Sequence, residues 1–191
     1  MAESRTIDQL AQLVGAFCFV EHSLFTLLGK WAAESVGDGP LAAEATVFLA
    51  TNARHHGNVA EMWRERLPVR AGVDQDALFT APVAVVETFE RLGVATDPVD
   101  RLQALLEVPM VRLLDTYGVV QASANPASEA PVLAVLGAVR REGLAELASG
   151  QSISDRLVLE TASAGQSKAL VVELERAFGR GVGIFPGERP T

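Results

Sequence analysis

The segment that decides the fold is residues 7–31, which read IDQLAQLVGAFCFVEHSLFTLLGKW. Large apolar side chains recur in it at steps of three and four residues, the spacing that places side chains on one stripe of an α-helix. The stripe consists of Ile7, Leu10, Val14, Phe17, Leu24, Leu28 and Trp31. Its one gap is filled by Glu21, so we expect a carboxylate on the buried face of the first helix.

A second segment, residues 40–67, repeats the pattern and pairs with the first. Its apolar stripe consists of Leu41, Ala45, Phe48, Val59 and Met62, and the gaps in that stripe are Asn52 and His55. A turn rich in glycine and proline at 37–40 marks a chain reversal. Antiparallel pairing about that turn sets Glu21 opposite His55. Because a buried polar group without a partner is costly, we predict that Glu21, Asn52 and His55 form one buried polar cluster.

The composition favours helix packing and narrows the classes of partner. Hydrophobic residues make up 49% of the 191 and aromatic residues only 6%. The formal net charge of −8 argues against nucleic acid, because phosphate contacts need clustered Lys and Arg. The single cysteine, Cys18, excludes a disulfide framework within the chain. We find neither a signal-peptide pattern nor an uninterrupted apolar run of membrane-spanning length, and therefore expect a cytoplasmic protein without a membrane partner.

The middle of the chain predicts a crossover followed by a third long helix. Residues 68–80 have the composition of a loop, and apolar spacing over 82–93 predicts a short helix. The third long helix is expected to begin after Asp97, which is a good N-cap. Pro109 lies inside this helix, where it removes a backbone donor and clashes with the preceding turn. We therefore predict a kink at Pro109.

The last third of the chain predicts two more helices. A fourth helix is expected over 128–148, with its end at Gly150, and a fifth helix follows it. We predict an all-α fold with one domain over residues 1–178. The remainder, 179–191, is rich in Gly and Pro and is expected to be a flexible tail, although part of it, 181–185, could dock as an extended arm.

Several positions resemble the metal-binding pattern of the ferritin-like diiron proteins. In that family a Glu on helices one and three, and a Glu-x-x-His motif on helices two and four, point into a four-helix bundle around two irons. Glu21 matches the first Glu, and 52–55 occupies the helix-two motif with Asn in place of Glu. Glu107 is the nearest match on helix three. Glu142 opens the helix-four motif, in which Ala145 stands at the His position.

The resemblance extends to a group of actinobacterial ferritin-like proteins of unassigned activity, over roughly residues 10–150. It rests on the stretches 21–24 and 55–68. It implies a ferritin-like four-helix bundle, made of two helical hairpins with a long crossover, plus an additional C-terminal helix. It also implies a metal site formed by Glu21, His55, Glu107 and Glu142.

Two functions stay open on this pattern. Asn52 and Ala145 remove a carboxylate and an imidazole from the implied ligand set, and metal affinity depends on the number of ligands. The first function is a non-catalytic bundle with a degenerate metal site that is structural or binds a protein partner. The alternative is an iron-dependent oxidoreductase that uses Glu21 and His55. The expected cofactor is accordingly none or iron, and no feature of the sequence indicates a substrate.

Other residues bear on the site and on partners. Glu160 competes with the fourth-helix carboxylate if the fifth helix packs on the first hairpin, and the hydroxyl of Tyr117 is a candidate for the same buried level. A homodimer is expected, with Phe19, Phe25 and Leu27 as its candidate interface, because exposed aromatic side chains need cover. A helical small-molecule sensor is a third possible function.

Overall fold

The computed structural model of the chain describes residues 5–34, 37–69, 72, 74–161, 167–178 and 183–184. Within these ranges all regular structure is helical and no strand occurs, so the predicted all-α class is confirmed. The helices are α1 (Ile7–Ala33), α2 (Pro40–Arg64), α3 (Val83–Val94), α4 (Pro98–Leu105), α5 (Val111–Ser123), α6 (Ala130–Thr161) and α7 (Ser167–Phe178). A 3₁₀ turn over Gln75–Leu78 precedes α3, and a π-helical turn over Leu106–Met110 joins α4 to α5.

α1 and α2 pack on each other as the predicted first hairpin. The buried side of α1 is the predicted stripe from Val14 to Trp31, whereas Ile7 at the start of the helix is 63% exposed. The buried side of α2 differs from the prediction. Trp63 is fully buried and Met62 is 37% exposed, so the core face of α2 is rotated by about one residue relative to the predicted stripe.

The apolar surface of α1 is largely used in packing. By length and composition alone α1 could cross a membrane, yet 61% of its most apolar stretch is buried inside the molecule. Among the predicted interface residues, Phe19 packs against Phe89 of α3 with ring centroids 6.4 Å apart. Leu27 is 7% exposed and Phe25 is 42% exposed. Of the surface proposed as a dimer interface, Phe25 therefore remains the exposed part.

α4, the π turn and α5 form one continuous helical stretch. It begins where predicted, because the Asp97 side chain accepts hydrogen bonds from the backbone N–H groups of Val99 and Asp100, both at 2.9 Å. Pro109 lies inside the π turn. A kink was predicted at Pro109; what the structure shows there is a widened turn, which accommodates a residue that has no N–H and whose ring crowds the preceding turn.

α6 continues through Gly150, so the predicted helix end at that glycine is wrong. A glycine weakens a helix interior by roughly 1 kcal/mol, but here it allows close packing. A Cβ at Gly150 would lie 2.7 Å from Leu106 and 2.8 Å from Phe48. The first part of the predicted fifth helix belongs to α6. Its second part forms a separate helix, α7, which packs on α3 and α4. Glu160, the competing carboxylate, is exposed near the end of α6.

Two residues of the predicted tail 179–191, Gly183 and Ile184, are described and both are buried. The Ile184 N–H donates to Thr116 Oγ1 at 2.8 Å. Arg112 Nη1 donates to the Gly183 carbonyl at 3.3 Å. At these two residues the chain packs on α5, although the φ of 81° at Gly183 is not that of an extended arm; the rest of that segment lies outside the described residues.

Gly15 of α1 lies against the backbone of the 3₁₀ turn, and this contact gives a testable prediction. A Cβ at Gly15 would lie 1.9 Å from the carbonyl oxygen of Leu78, a backbone atom that no rotamer change can move. We expect Gly15→Ala to lower the free energy of unfolding by about 1–3 kcal/mol, measured by urea denaturation.

Gly29→Ala on the same helix is the matched control. Its nearest neighbour would be the Cβ of Ala53 at 3.9 Å, an ordinary contact. Alanine should therefore stabilise the helix at position 29 by about 0.5–1 kcal/mol. Equal effects of the two substitutions would contradict the close approach of α1 to the 3₁₀ turn.

Candidate functional site

Polar side chains from α1, α2, α5 and α6 meet at one level of the core. They are Glu21, His56, Tyr117 and Glu146, and their exposed fractions are 2%, 3%, 1% and 8%. The indole of Trp63, two turns after His56 on α2, joins them and is fully buried. We call these five residues the central network.

Hydrogen bonds connect the central network into one chain across the core. Trp63 Nε1 donates to the Tyr117 hydroxyl at 3.1 Å, and that hydroxyl donates to Glu21 Oε1. Glu21 Oε2 lies 2.5 Å from His56 Nδ1, and His56 Nε2 lies 3.0 Å from Glu146 Oε1. The network therefore ties α1 to α2, α5 and α6 by polar contacts at a single level.

His56 is held as an imidazolium at neutral pH. Both ring nitrogens face carboxylate oxygens, so both must carry a proton if both are to donate. Burial by itself lowers the pKa of His56, but the charges and hydrogen bonds of Glu21 and Glu146 outweigh burial and raise the pKa to about 10. In this arrangement the ring has no free lone pair to offer to a metal ion or to a proton.

The aromatic end of the central network is closed from solvent. Phe17 packs on Trp63 and on Tyr117, with ring centroids 4.9 and 4.8 Å away. Burial raises the pKa of Tyr117 well above its ordinary value, and the charge of Glu21 raises it further. Burial likewise raises the pKa of the neighbouring Cys18 thiol to about 12. Tyr117 is therefore a neutral donor, and Cys18 is an unreactive thiol.

The structure places Glu21 at the predicted level and corrects its partner. His56, and not His55, faces Glu21, because successive residues on a helix point about 100° apart. The fully buried Trp63 fixes which face of α2 is inside, and His56 lies on that face. His55 is half-buried, with Nδ1 3.6 Å from a carboxylate oxygen of Glu142.

The other predicted site residues lie outside the central network. Asn52 is half-buried and donates from Nδ2 to the carbonyl of Phe48 in its own helix, at 2.9 Å. The Glu142 side chain is 60% exposed, and Glu107 is exposed and accepts a hydrogen bond from Gln103 at 2.7 Å. The structure does not bring together either set of residues predicted from the sequence. These sets are the buried polar cluster Glu21, Asn52 and His55, and the metal-ligand set Glu21, His55, Glu107 and Glu142.

Glu146, like His56 and Trp63, is a member of the central network that the predicted cluster did not contain. A signal for it exists, because Val132, Val139, Glu146 and Ile153 are spaced by seven residues and belong to one face of a continuous helix. The predicted helix end at Gly150 separated Ile153 from this row, although Glu146 itself lay inside the predicted helix. Tyr117, in contrast, lies at the buried level for which its hydroxyl was a candidate.

A surface groove of about 690 Å³ lies between α2 and α6 and meets the central network at Glu146. Its buried lining includes Phe48 and Ile153, which are 8% and 4% exposed. Asn52 and His55, which sequence reasoning placed in the core, also line it. Asn52 and His55, which were predicted to belong to the buried polar cluster, thus border the groove. The charged central network lies behind it.

The residues present do not fit an iron centre. In the part of the chain that the structure describes, no group of three or more His, Cys, Asp or Glu side chains is placed to hold a metal ion. The side chains of Glu21, His56 and Glu146 are the nearest candidates for metal ligands. One oxygen of each carboxylate and both ring nitrogens are instead hydrogen-bonded to one another, at 2.5 and 3.0 Å. A metal ion there would compete with the protons of an imidazolium for both carboxylates.

Comparison of the chain with protein-family models, with curated proteins and with solved structures finds no match. The central network and the groove are therefore the features that point to a function. The ferritin-like resemblance of the sequence motifs stays an expectation.

Proposed function

We propose that this chain is a ferritin-like four-helix bundle whose metal level is occupied by the central network, and that it is a non-catalytic structural or partner-binding protein. The observation that carries this proposal is the position of His56 between two carboxylates, at 2.5 Å from Glu21 and 3.0 Å from Glu146. An imidazole must offer a lone pair to bind a metal ion or accept a proton. A doubly donating imidazolium offers none.

The helix order supports the bundle part of the proposal. α1 and α2 form one hairpin, α5 and α6 pack together, and the connection that carries α3 lies between these pairs. In this interpretation α7 is the additional C-terminal helix. The motif positions three residues before His56 and Glu146 are held by Ala53 and Gly143. A methyl group and a hydrogen atom therefore stand where Glu-x-x-His motifs would provide carboxylates.

The central network suits a role in fixing structure. A buried polar group that loses its partner costs more than an apolar group would, so the network disfavours helix registers that separate its members. It thereby specifies how four helical segments align, in the way a single buried polar residue specifies register in a coiled coil. The same proposal places the protein in the cytoplasm, where its partner is a second copy of itself or another protein.

Metal content tests this proposal directly. Protein purified without chelators or an affinity tag, and then incubated anaerobically with ferrous iron and desalted, should retain far less than one iron, manganese or zinc per chain by mass spectrometry. Retention of one or two irons per chain would contradict the proposal if His56→Ala abolished it and His55→Ala did not. That result would place iron on the central network, whereas loss of the iron in His55→Ala and not in His56→Ala would support the predicted iron-dependent oxidoreductase that uses Glu21 and His55.

A further inference from the structure

We propose that the groove between α2 and α6 binds a primary ammonium compound with an aliphatic tail, and that Glu146 recognises the ammonium group. This inference goes beyond the structural role of the central network. It does not depend on whether the bundle is related to ferritin-like proteins, because it uses only the groove and Glu146.

Glu146 has one oxygen that the protein leaves unsatisfied. Oε1 lies 3.0 Å from His56 Nε2, whereas Oε2 has no hydrogen-bond partner among the described residues. The side chain is only 5% exposed, so bulk water does not satisfy Oε2 either. A buried acceptor without a donor is costly, and a charged one more so. Glu146 lines the groove, so we infer that a small rotation of its carboxylate presents Oε2 to a hydrogen-bond donor bound there.

The formal charge of the central network favours a cation as that ligand. Glu21 and Glu146 are two carboxylates, and they face the single imidazolium of His56. The network therefore holds one formal negative charge in excess of its positive charge. Because this charge is buried, its interaction with a cation is weakly screened by salt. An anionic ligand would instead meet a carboxylate of like charge at the inner wall of the groove.

The charges on the outer lining of the groove do not reverse this preference for a cation. Glu44 accepts two hydrogen bonds from Arg156, at 3.0 and 2.5 Å, and the two charges offset each other. Glu142 faces His55 at 3.6 Å. Arg54 lines the groove from an exposed position on α2, where its charge is screened by solvent. The carboxylate deepest in the groove is therefore that of Glu146.

The apolar part of the groove favours an aliphatic tail. Phe48 and Ile153 line it from buried positions, and Val47 lines it while 65% exposed. A volume of about 690 Å³ is within the usual range for small-molecule sites. The rest of the lining is largely polar. The buried apolar side chains of Phe48 and Ile153, together with the buried carboxylate of Glu146, suit an alkyl chain that ends in a donor, which is the chemistry of an alkylammonium ion.

Titration with n-hexylammonium chloride tests the proposal, with sodium hexanoate as the probe of opposite charge and equal chain length. Binding is followed at neutral pH by calorimetry and by the amide shifts of Ala145 and Ser149, two exposed groove residues on α6. We expect saturable binding of hexylammonium, with hexanoate bound roughly tenfold to a hundredfold more weakly, the range for one hydrogen bond to a charged group.

Two tryptophan substitutions locate the site without touching the central network. Ala145→Trp fills the groove from its exposed wall and should weaken hexylammonium binding at least about tenfold. Ala148→Trp is the matched control, because Ala148 is exposed on the same helix and is not part of the groove lining; it should bind as the unmodified protein does. Glu146→Gln should also weaken binding, since it removes the charge and keeps the shape.

Three results would overturn the proposal. The first is no saturable binding of hexylammonium to the unmodified protein. The second is equal affinity for hexylammonium and hexanoate, which would show a purely apolar groove. The third is unchanged affinity in a folded Ala145→Trp protein, which would place the binding elsewhere on the surface.

Discussion

His56→Ala should lower the free energy of unfolding by about 3–5 kcal/mol, the range for removing one partner from a buried ion pair. The substitution leaves Glu21 and Glu146, with side chains 3% and 5% exposed, as buried carboxylates without the cation between them. It also leaves a cavity where the imidazole was. Urea denaturation at neutral pH measures the change, and a chain that no longer folds would be the same result in its extreme form.

His55→Ala is the matched control, because it removes the same side chain from the adjacent position. The His55 side chain is 27% exposed and its contact with Glu142 is at 3.6 Å, so the cost should stay within about 1 kcal/mol. A larger loss for His55→Ala than for His56→Ala would show that the face of α2 is rotated toward the stripe predicted from sequence, and would contradict the central network.

The free energy of unfolding should fall as the pH rises from about 6.5 to about 10, the ordinary and the raised pKa of His56. Below the lower value both states bind the proton, and the stabilisation is complete. Above it the unfolded chain releases the proton and the folded chain keeps it, so stability falls by up to about 1.4 kcal/mol per pH unit. The groups that face His56 are Glu21, Glu146 and His55.

Urea midpoints measured at steps of pH check this expectation. His56→Gln is the control, since it has no titrating ring and should give a flatter profile between about pH 6.5 and pH 8. Above that interval Cys18 and Tyr117 add to the loss, because burial raises their pKa values and they ionise first in the unfolded chain. A stability independent of pH in the lower interval would show that His56 is not held as a cation.

The sequence predicted α1 well because its buried face is made of large side chains. Val14, Phe17, Leu24 and Trp31 leave one gap on the stripe, and Glu21 is buried there. The α2 face was misjudged because much of it is alanine: Ala42, Ala53 and Ala60 are 5–6% exposed. A periodicity based on large residues gives such positions little weight. Here the full burial of Trp63 shows the face better than the stripe does.

Long-range packing explains the other differences between prediction and structure. Gly150 carries a local signal for the end of a helix, but closely approaching side chains from Leu106 and Phe48 fill the space beside it. No local rule contains that information, because it depends on which helices become neighbours. The pairing of Glu146 with His56 could not be predicted for the same reason, because it depends on α6 becoming a neighbour of α2. Pro109, in contrast, acts on its own turn. Its position was enough to predict a departure from a regular helix there, although the form predicted was a kink and the structure has a π turn.

The π turn over Leu106–Met110 has a consequence for how the chain can change in length. A π turn holds one residue more than a regular helical turn. Loss of one residue within it would restore α geometry and leave Tyr117 facing Glu21, because α4 and α5 would keep their relative rotation. Straightening the turn with all residues retained would instead rotate α5 by about 100° and bring Thr116 to the position of the phenol. The turn thus accommodates one extra residue, and a substitution that made it regular with all residues retained would separate Tyr117 from Glu21.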